Sequence, residues 1–343
     1  MKKTKLTVAL CLILAVSLFA GCGAQTAQQS ASPLSPASAV PAKQVSVTVA
    51  GLAGPTSIGM IKLINEKALN SAQYAVNYEV DAAPDVLTGK VISGEVQIAA
   101  LPTNSAAVLY NKTKGKIEFL AQNTLGVLYL VGKDSSRIGS LKDLAGKTVA
   151  ISGKSGVPEY AVDYILSKAG IKDSVTLNFL PDHATTAQAL LGGKAELAIL
   201  PQPFVTQVLA KDPSMKILLD LNKEWDSAAG GQSALSMGCL VVSKDFADAN
   251  PEFIADFLKQ YAASVDYVNK NPADAAKMVA DAGIISSVEV VEKAIPYCNI
   301  VYKNAQDAKS EINGFLKVLY EFDPSSVGGT MPDDGFYYAA PKK

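Results

Sequence analysis

Arginine is almost missing from this chain of 343 residues: Arg137 is the only guanidinium among 31 basic side chains. Bidentate recognition of phosphate or carboxylate therefore has almost no donor, and a formal net charge of -1 leaves no basic face for nucleic acid. Histidine is equally scarce, with His183 alone. No Ser-His-Asp order and no metal-spaced set of His, Cys and Asp surrounds it, which argues against an enzyme, and no cofactor or metal is expected. Four cysteines are present, at 11, 22, 239 and 298. Only Cys239 and Cys298 lie in the body of the chain, and whether they form a bridge or stay as two buried thiols is open at this point.

Long apolar runs are also lacking. The one candidate, 6–19, is too short to span a bilayer as a mature helix and follows Lys2, Lys3 and Lys5. Residues 1–22 thus read as an export signal. Its end, Phe19-Ala20-Gly21-Cys22, is similar to the bacterial lipoprotein box, with Phe19 where Leu is usual and Cys22 as the lipidated residue; an ordinary signal peptide cleaved later is the alternative. Residues 23–43 are rich in Ala, Ser, Gln and Pro, with no charge before Lys43. Such a segment reads as a tether reaching roughly 60 Å if extended.

What the chain does contain is a repeat. Thr48-Val49-Ala50 returns 100 residues on as Thr148-Val149-Ala150, and the run from Gly94 to Pro102 (GEVQIAALP) returns 99 residues on as Gly193 to Pro201 (GKAELAILP). Two matches in one order at nearly one offset predict two similar lobes. A hydrophobic fraction of 49% with 18% charged residues is that of a globular body, and the length exceeds one ordinary core.

Apolar periodicity fills in the plan. Strands are predicted at 44–50, 74–80 and 96–101, with helices following the Gly-rich loop 51–57 and at 84–93 and 103–112. In the second half, strands at 148–151, 175–180 and 197–200 alternate with helices at 158–169, 185–191 and 203–211, and 215–221 adds an edge strand. Strands that alternate with helices imply a mostly parallel sheet in each lobe, an α/β class. The apolar run 240–242 reads as the return to the first lobe, so the expected division is 44–132 with 240–343 against 133–239, joined by a two-strand hinge. Beyond it, Asn250-Pro251 and Asn271-Pro272 mark helix starts, with Asp274 completing a box-like cap on the second. The stripe Phe253, Ile254, Phe257, Leu258, Tyr261, Val265, Val268 is core.

Ligands of open parallel sheets sit beyond the carboxyl ends of strands, where loops enter helix N-termini with unpaired N–H groups. That rule selects Gly54, Pro55, Thr56 and Ser57 with Thr103 and Asn104 in the first lobe, and Lys154, Ser155 and Gly156 with Gln202 and Phe204 in the second. The bland reading is that their hydroxyls and amides only cap helices. Glu159, at a helix start, either favours that dipole or accepts a donor from a solute; Tyr160 and Phe204 either stack on a flat solute or pack their own helices. His183 reads as a solvated loop residue, Trp225 as a possible cleft flank, and Asp333-Asp334 as a turn.

On Gly54-Pro55-Thr56-Ser57, the run Leu144 to Ala150 (LAGKTVA), the run Leu200 to Thr206 (LPQPFVT), Phe246 with Asn250-Pro251, and Gly328-Gly329 with Pro332 to Phe336 (PDDGF), the chain resembles the solute-binding proteins of ATP-driven (ABC) importers. The resemblance is to the nitrate, sulfonate and taurine group that also holds thiamine-pyrimidine precursor binders. It implies a periplasmic-binding-protein-like fold of type II, an extracytoplasmic lipid-anchored monomer, a small solute gripped between the lobes, and an ABC permease as partner. An enzyme of pyrimidine or menaquinone-precursor synthesis on the same fold is the alternative of another class.

Overall fold

Val45–Leu52 (β1) opens the body with its middle buried, at Val47, Val49 and Ala50. The computed structural model describes residues 44–81, 84–231 and 233–341. The export signal, Cys22 and the whole of the tether lie outside the described residues.

The other strands are Tyr74–Asp81 (β2), Ile98–Pro102 (β3), Ile117–Leu125 (β4), Leu128–Lys133 (β5), Thr148–Ile151 (β6), Thr176–Phe179 (β7), Leu197–Pro201 (β8), Met215–Asp220 (β9), Ser236–Ser243 (β10) and Ile300–Asn304 (β11). They form two sheets, in the orders β11-β4-β10-β3-β1-β2 and β7-β6-β8-β5-β9. In each, one trio is parallel, β2-β1-β3 and β7-β6-β8, because a helix crosses between its members. The remaining pairs are antiparallel. Both sheets are therefore mixed, and the expectation of a mostly parallel sheet holds only for the trios. Central strands β3, β4, β8 and β10 read as almost unbroken apolar or buried runs because helices cover both faces.

The repeat is visible in register. Ala50 of β1 pairs with Ala99 of β3, and Ala150 of β6 pairs with Ala198 of β8. Gly94 and Gly193, the first residues of the repeated run, both take left-handed backbone (φ 79° and 68°), where a helix ends and the chain turns into β3 or β8.

The lobe boundary differs from the expected one after residue 132. Strand β5 pairs with β8 and β9 of the second sheet, so the chain crosses at Gly126-Val127. It returns before Ser236, which pairs with Leu125 of β4, so the two crossings lie side by side and the return precedes residue 240. Only two residues separate β4 from β5, so periodicity does not mark this crossing. On the first crossing, Asn299 Nδ2 donates to the Gly126 carbonyl at 2.5 Å, while Asn222 Oδ1 accepts from the Leu128 N–H at 3.2 Å. A Cβ at Gly126 would land on Asn222 Oδ1.

The cores of the two lobes also join on the crossing side. The helix Ala305–Phe322 lays Phe315 against Trp225 at 5.4 Å between ring centroids, and Phe322 against Tyr164 of the helix Val157–Lys168 at 5.6 Å. Trp225, in the helix Leu221–Ala228, is fully buried and donates Nε1–H to the Ser233 carbonyl at 2.9 Å, so it packs core and does not flank the cleft. Asn250 and Asn271 depart from expectation too: each folds Nδ2 back to the carbonyl four residues earlier, Phe246 and Tyr267, and so closes the preceding helix instead of capping the next. Cys239 and Cys298 are free and buried.

Candidate functional site

Six parallel strands end on one side of the two sheets, three from each lobe, and the loops that leave them surround a shared cavity of about 220 Å³. From the first lobe come Leu52 and Gly54 to Thr56 after β1, Pro84, Asp85 and Thr88 after β2, and Pro102 and Ser105 after β3. From the second come Ser152 to Gly156 after β6, Pro181 to Ala184 after β7, and Pro201 and Phe204 after β8. Met237 of β10 lies at the junction. Most of this lining is carbon, supplied by prolines, Leu52, Met237 and Phe204.

Seven of the sequence-selected residues line the cavity: Gly54, Pro55, Thr56, Lys154, Ser155, Gly156 and Phe204. The other six sit behind it. Ser57 is buried and donates Oγ–H to the Leu52 carbonyl at 2.6 Å. Thr103 is buried with Oγ1 3.0 Å from Ser236 Oγ. Asn104, also buried, donates Nδ2 to the carbonyls of Ser155 and Ser326, both at 3.1 Å. Glu159 accepts the Ser155 N–H, Tyr160 is half-buried beside Ser325, and Gln202 Oε1 accepts from Thr206 Oγ1 at 2.8 Å. These groups brace the loops. Spacing alone could not separate them from the lining residues, because direction depends on the turn each loop makes.

Two of those turns are visible in the backbone. Gly153 has φ 87°, and a Cβ there would meet Pro158 Cγ at 2.8 Å. Ser155 holds φ 59°, unusual for a residue with a side chain, in place between Glu159 and Asn104.

The loops after β2 and β7 escaped the sequence reading, although the same strand-end rule applies to them. His183 is the consequential omission. It is the first residue of the helix His183–Leu191, and its ring lines the cleft instead of standing in solvent. Nδ1 lies 2.5 Å from Ser152 Oγ, and the ring centroid is 5.6 Å from that of Phe204. Burial lowers the imidazole from its ordinary value to about 4, while Asp182 pulls weakly the other way. Asp182 itself is engaged, its Oδ1 accepting from the Thr185 N–H at 2.6 Å.

Charge on the walls is sparse: Lys154, whose Nζ stands 5.9 Å from the Phe179 ring centroid, and the carboxylates Asp85 and Asp182. Arg137 ends a short turn away from the cavity, outside its lining. Among the described residues no group of three or more His, Cys, Asp or Glu is placed to hold a metal ion. Ser152 and His183 are within reach of each other as a nucleophile and base would be. Yet an imidazole at about 4 is a weak base at neutral pH, and no carboxylate among the described residues bonds its other nitrogen.

With that geometry described, the comparisons are specific. The family model described as NMT1/THI5 like matches residues 82–275. The chain belongs to that family. An ABC transporter structure from Parabacteroides distasonis aligns at 27% identity and TM-score 0.72, over 86% of this chain and 99% of its own. The periplasmic aliphatic sulphonate binding protein SsuA of Escherichia coli aligns at 14% identity and TM-score 0.70, over 87% and 93%. The periplasmic nitrate-binding protein NrtA of Synechocystis PCC 6803 does so at 14% and 0.62, over 82% of each chain. These likenesses make the fold periplasmic-binding-protein-like, the class expected from the sequence. No curated protein sequence matches the chain.

Proposed function

We propose that the protein is the extracytoplasmic solute-binding receptor of an ABC importer, which takes a small organic solute between its lobes and hands it to a permease. The observation that carries this reading is the single cavity bordered by strand-end loops of both lobes. A solute touching both walls favours the closed arrangement, and only such differential contact shifts an open–closed equilibrium. The two adjacent crossings at Gly126-Val127 and before Ser236 are where the lobes would pivot as separate bodies. Cys22 would carry the lipid that ties a monomeric receptor to the cell membrane, and residues 23–43 would let it stand clear of the surface.

For the solute, the structural neighbours bind sulphonate and nitrate. A sulfonate, taurine-like or nitrate-like anion would meet Lys154 and the N-terminus of the helix Val157–Lys168. A flat heterocycle, such as a thiamine-precursor pyrimidine, is the second reading, favoured by the Phe204 and His183 rings on a mostly apolar wall. Micromolar affinity for either needs a net of about 8 kcal/mol. Melting curves against nitrate, methanesulfonate, taurine and an aminopyrimidine test the reading: one solute is expected to raise the melting temperature and to be recovered unchanged. Recovery of a chemically altered solute would point to the enzyme alternative.

A further inference from the structure

We propose that the Ser152–His183 pair is the specificity-determining contact of the cleft, in which Ser152 fixes the imidazole so that its second nitrogen hydrogen-bonds an uncharged polar atom of the solute. This rests on the receptor reading and deepens it.

Ser152 follows β6 directly and is buried, so its hydroxyl is positioned by the sheet. Its contact at 2.5 Å goes to Nδ1, which leaves Nε2 with no protein partner among the described residues on a ring that lines the cavity. The Ser152 hydroxyl occupies Nδ1 either as donor or as acceptor, and the opposite role then falls to Nε2, which faces the cavity. Phe204 at 5.6 Å limits the tilt of the ring. Burial and the positive end of the helix His183–Leu191 oppose a cation at this ring, the Asp182 carboxylate pulls the other way, and Lys154 and Asp85 are the remaining charges on the cavity wall. Elsewhere the wall carries prolines, Leu52 and Met237 with the hydroxyls of Thr56, Thr88, Ser105 and Ser155, so the imidazole is its one aromatic nitrogen group among the described residues. A hydrogen-bonding site left unmatched by the wrong solute discriminates more strongly than an apolar one.

Because His183 is the only histidine, ring-¹⁵N-labelled full chain without a histidine tag gives one imidazole signal pair. At pH 5.5 an ordinary imidazole is about nine-tenths protonated. The expected result is a neutral ring whose tautomer balance shifts with Ser152→Ala while the fold, checked by amide spectra, is kept. A protonated ring at that pH, or a tautomer unaffected by Ser152→Ala, overturns the proposal without any solute being needed. In calorimetry with cytosine, methanesulfonate and nitrate as probes, cytosine, which offers uncharged polar atoms, is expected to bind and to lose about tenfold in affinity with His183→Ala and less with His183→Gln, which keeps a neutral polar group, and binding of an anion alone overturns the proposal. Unchanged affinity in His183→Ala also overturns it. Failure of the receptor reading looks different: a probe is converted, whatever the state of the ring.

Discussion

Asn104, buried at the head of the first-lobe helix Thr103–Thr113, donates its Nδ2 to the carbonyl of Ser155 in the second lobe at 3.1 Å. The same nitrogen reaches Ser326 of the first lobe, also at 3.1 Å. One side chain thus holds a cleft loop of the opposite lobe against its own, in the arrangement where the walls face each other.

Asn104→Ala removes both bonds, and at about 0.5–1.5 kcal/mol each the fold should lose roughly 1–3 kcal/mol. The inter-lobe half of that loss falls on the closed arrangement, so solute affinity should drop about threefold to tenfold although Asn104 does not line the cavity. Urea unfolding and calorimetry measure the two effects. A stability loss with unchanged affinity would show that the Ser155 bond does not bias closure.

Stability should depend on pH through His183. Its value falls from the ordinary 6.5 to about 4 on folding, so below pH 6.5 the unfolded chain takes up a proton that the folded chain refuses. The contribution is complete above 6.5 and is lost as pH falls from there towards 4. Between pH 7 and about pH 4.5 the native chain should lose about 2 kcal/mol more than His183→Gln does. Equal losses in the two proteins contradict the neutral ring.

Gly126→Ala tests the crossing. Its Cβ would collide with Asn222 Oδ1, which holds the Leu128 N–H, so the substitution should cost about 1–3 kcal/mol by overpacking. Asn222→Ala in the same chain should return part of that loss, and a double-mutant cycle measures it. Additive losses would mean that the two residues do not meet.

Thr103 and Phe204 separate bracing from binding. Thr103→Val keeps the shape but gives up the contact with Ser236, and it should cost roughly 1 kcal/mol of stability with little change in solute affinity. Phe204→Ala strips both the cleft wall and the core of the second lobe, and should cost about 3–5 kcal/mol together with the affinity. Equal effects on affinity would place Thr103 in contact with the solute after all.

Much of the architecture was legible in the residues because it is periodic or repeated. The return of Thr48-Val49-Ala50 at Thr148 became two strands with the same neighbours in the same order, and the apolar stripe Phe253 to Val268 became a buried helix face. What stayed hidden depends on direction or on distance along the chain. Strand β11 and the helix Leu221–Ala228 are short, five and eight residues, and the crossing at Gly126 hides between two apolar strands. In the site, strand-end loops were the right places, yet Ser57, Thr103 and Gln202 turn inward to their own backbone or neighbours while His183 turns into the cleft. A loop histidine is solvated by default; only the meeting of β6 and β7, which sets Ser152 beside it, changes that.

The most direct test of the account is the distance between the lobes, read by fluorescence transfer between labelled cysteines placed at Ile92 and Ile217. Both positions are exposed, one in each lobe, and Cys239 and Cys298 are buried. Addition of the solute that raises the melting temperature should shift the population to a single shorter distance, saturating at one solute per chain, with the solute recovered unaltered. A distance indifferent to solute at saturation, or a solute returned as another compound, would contradict it.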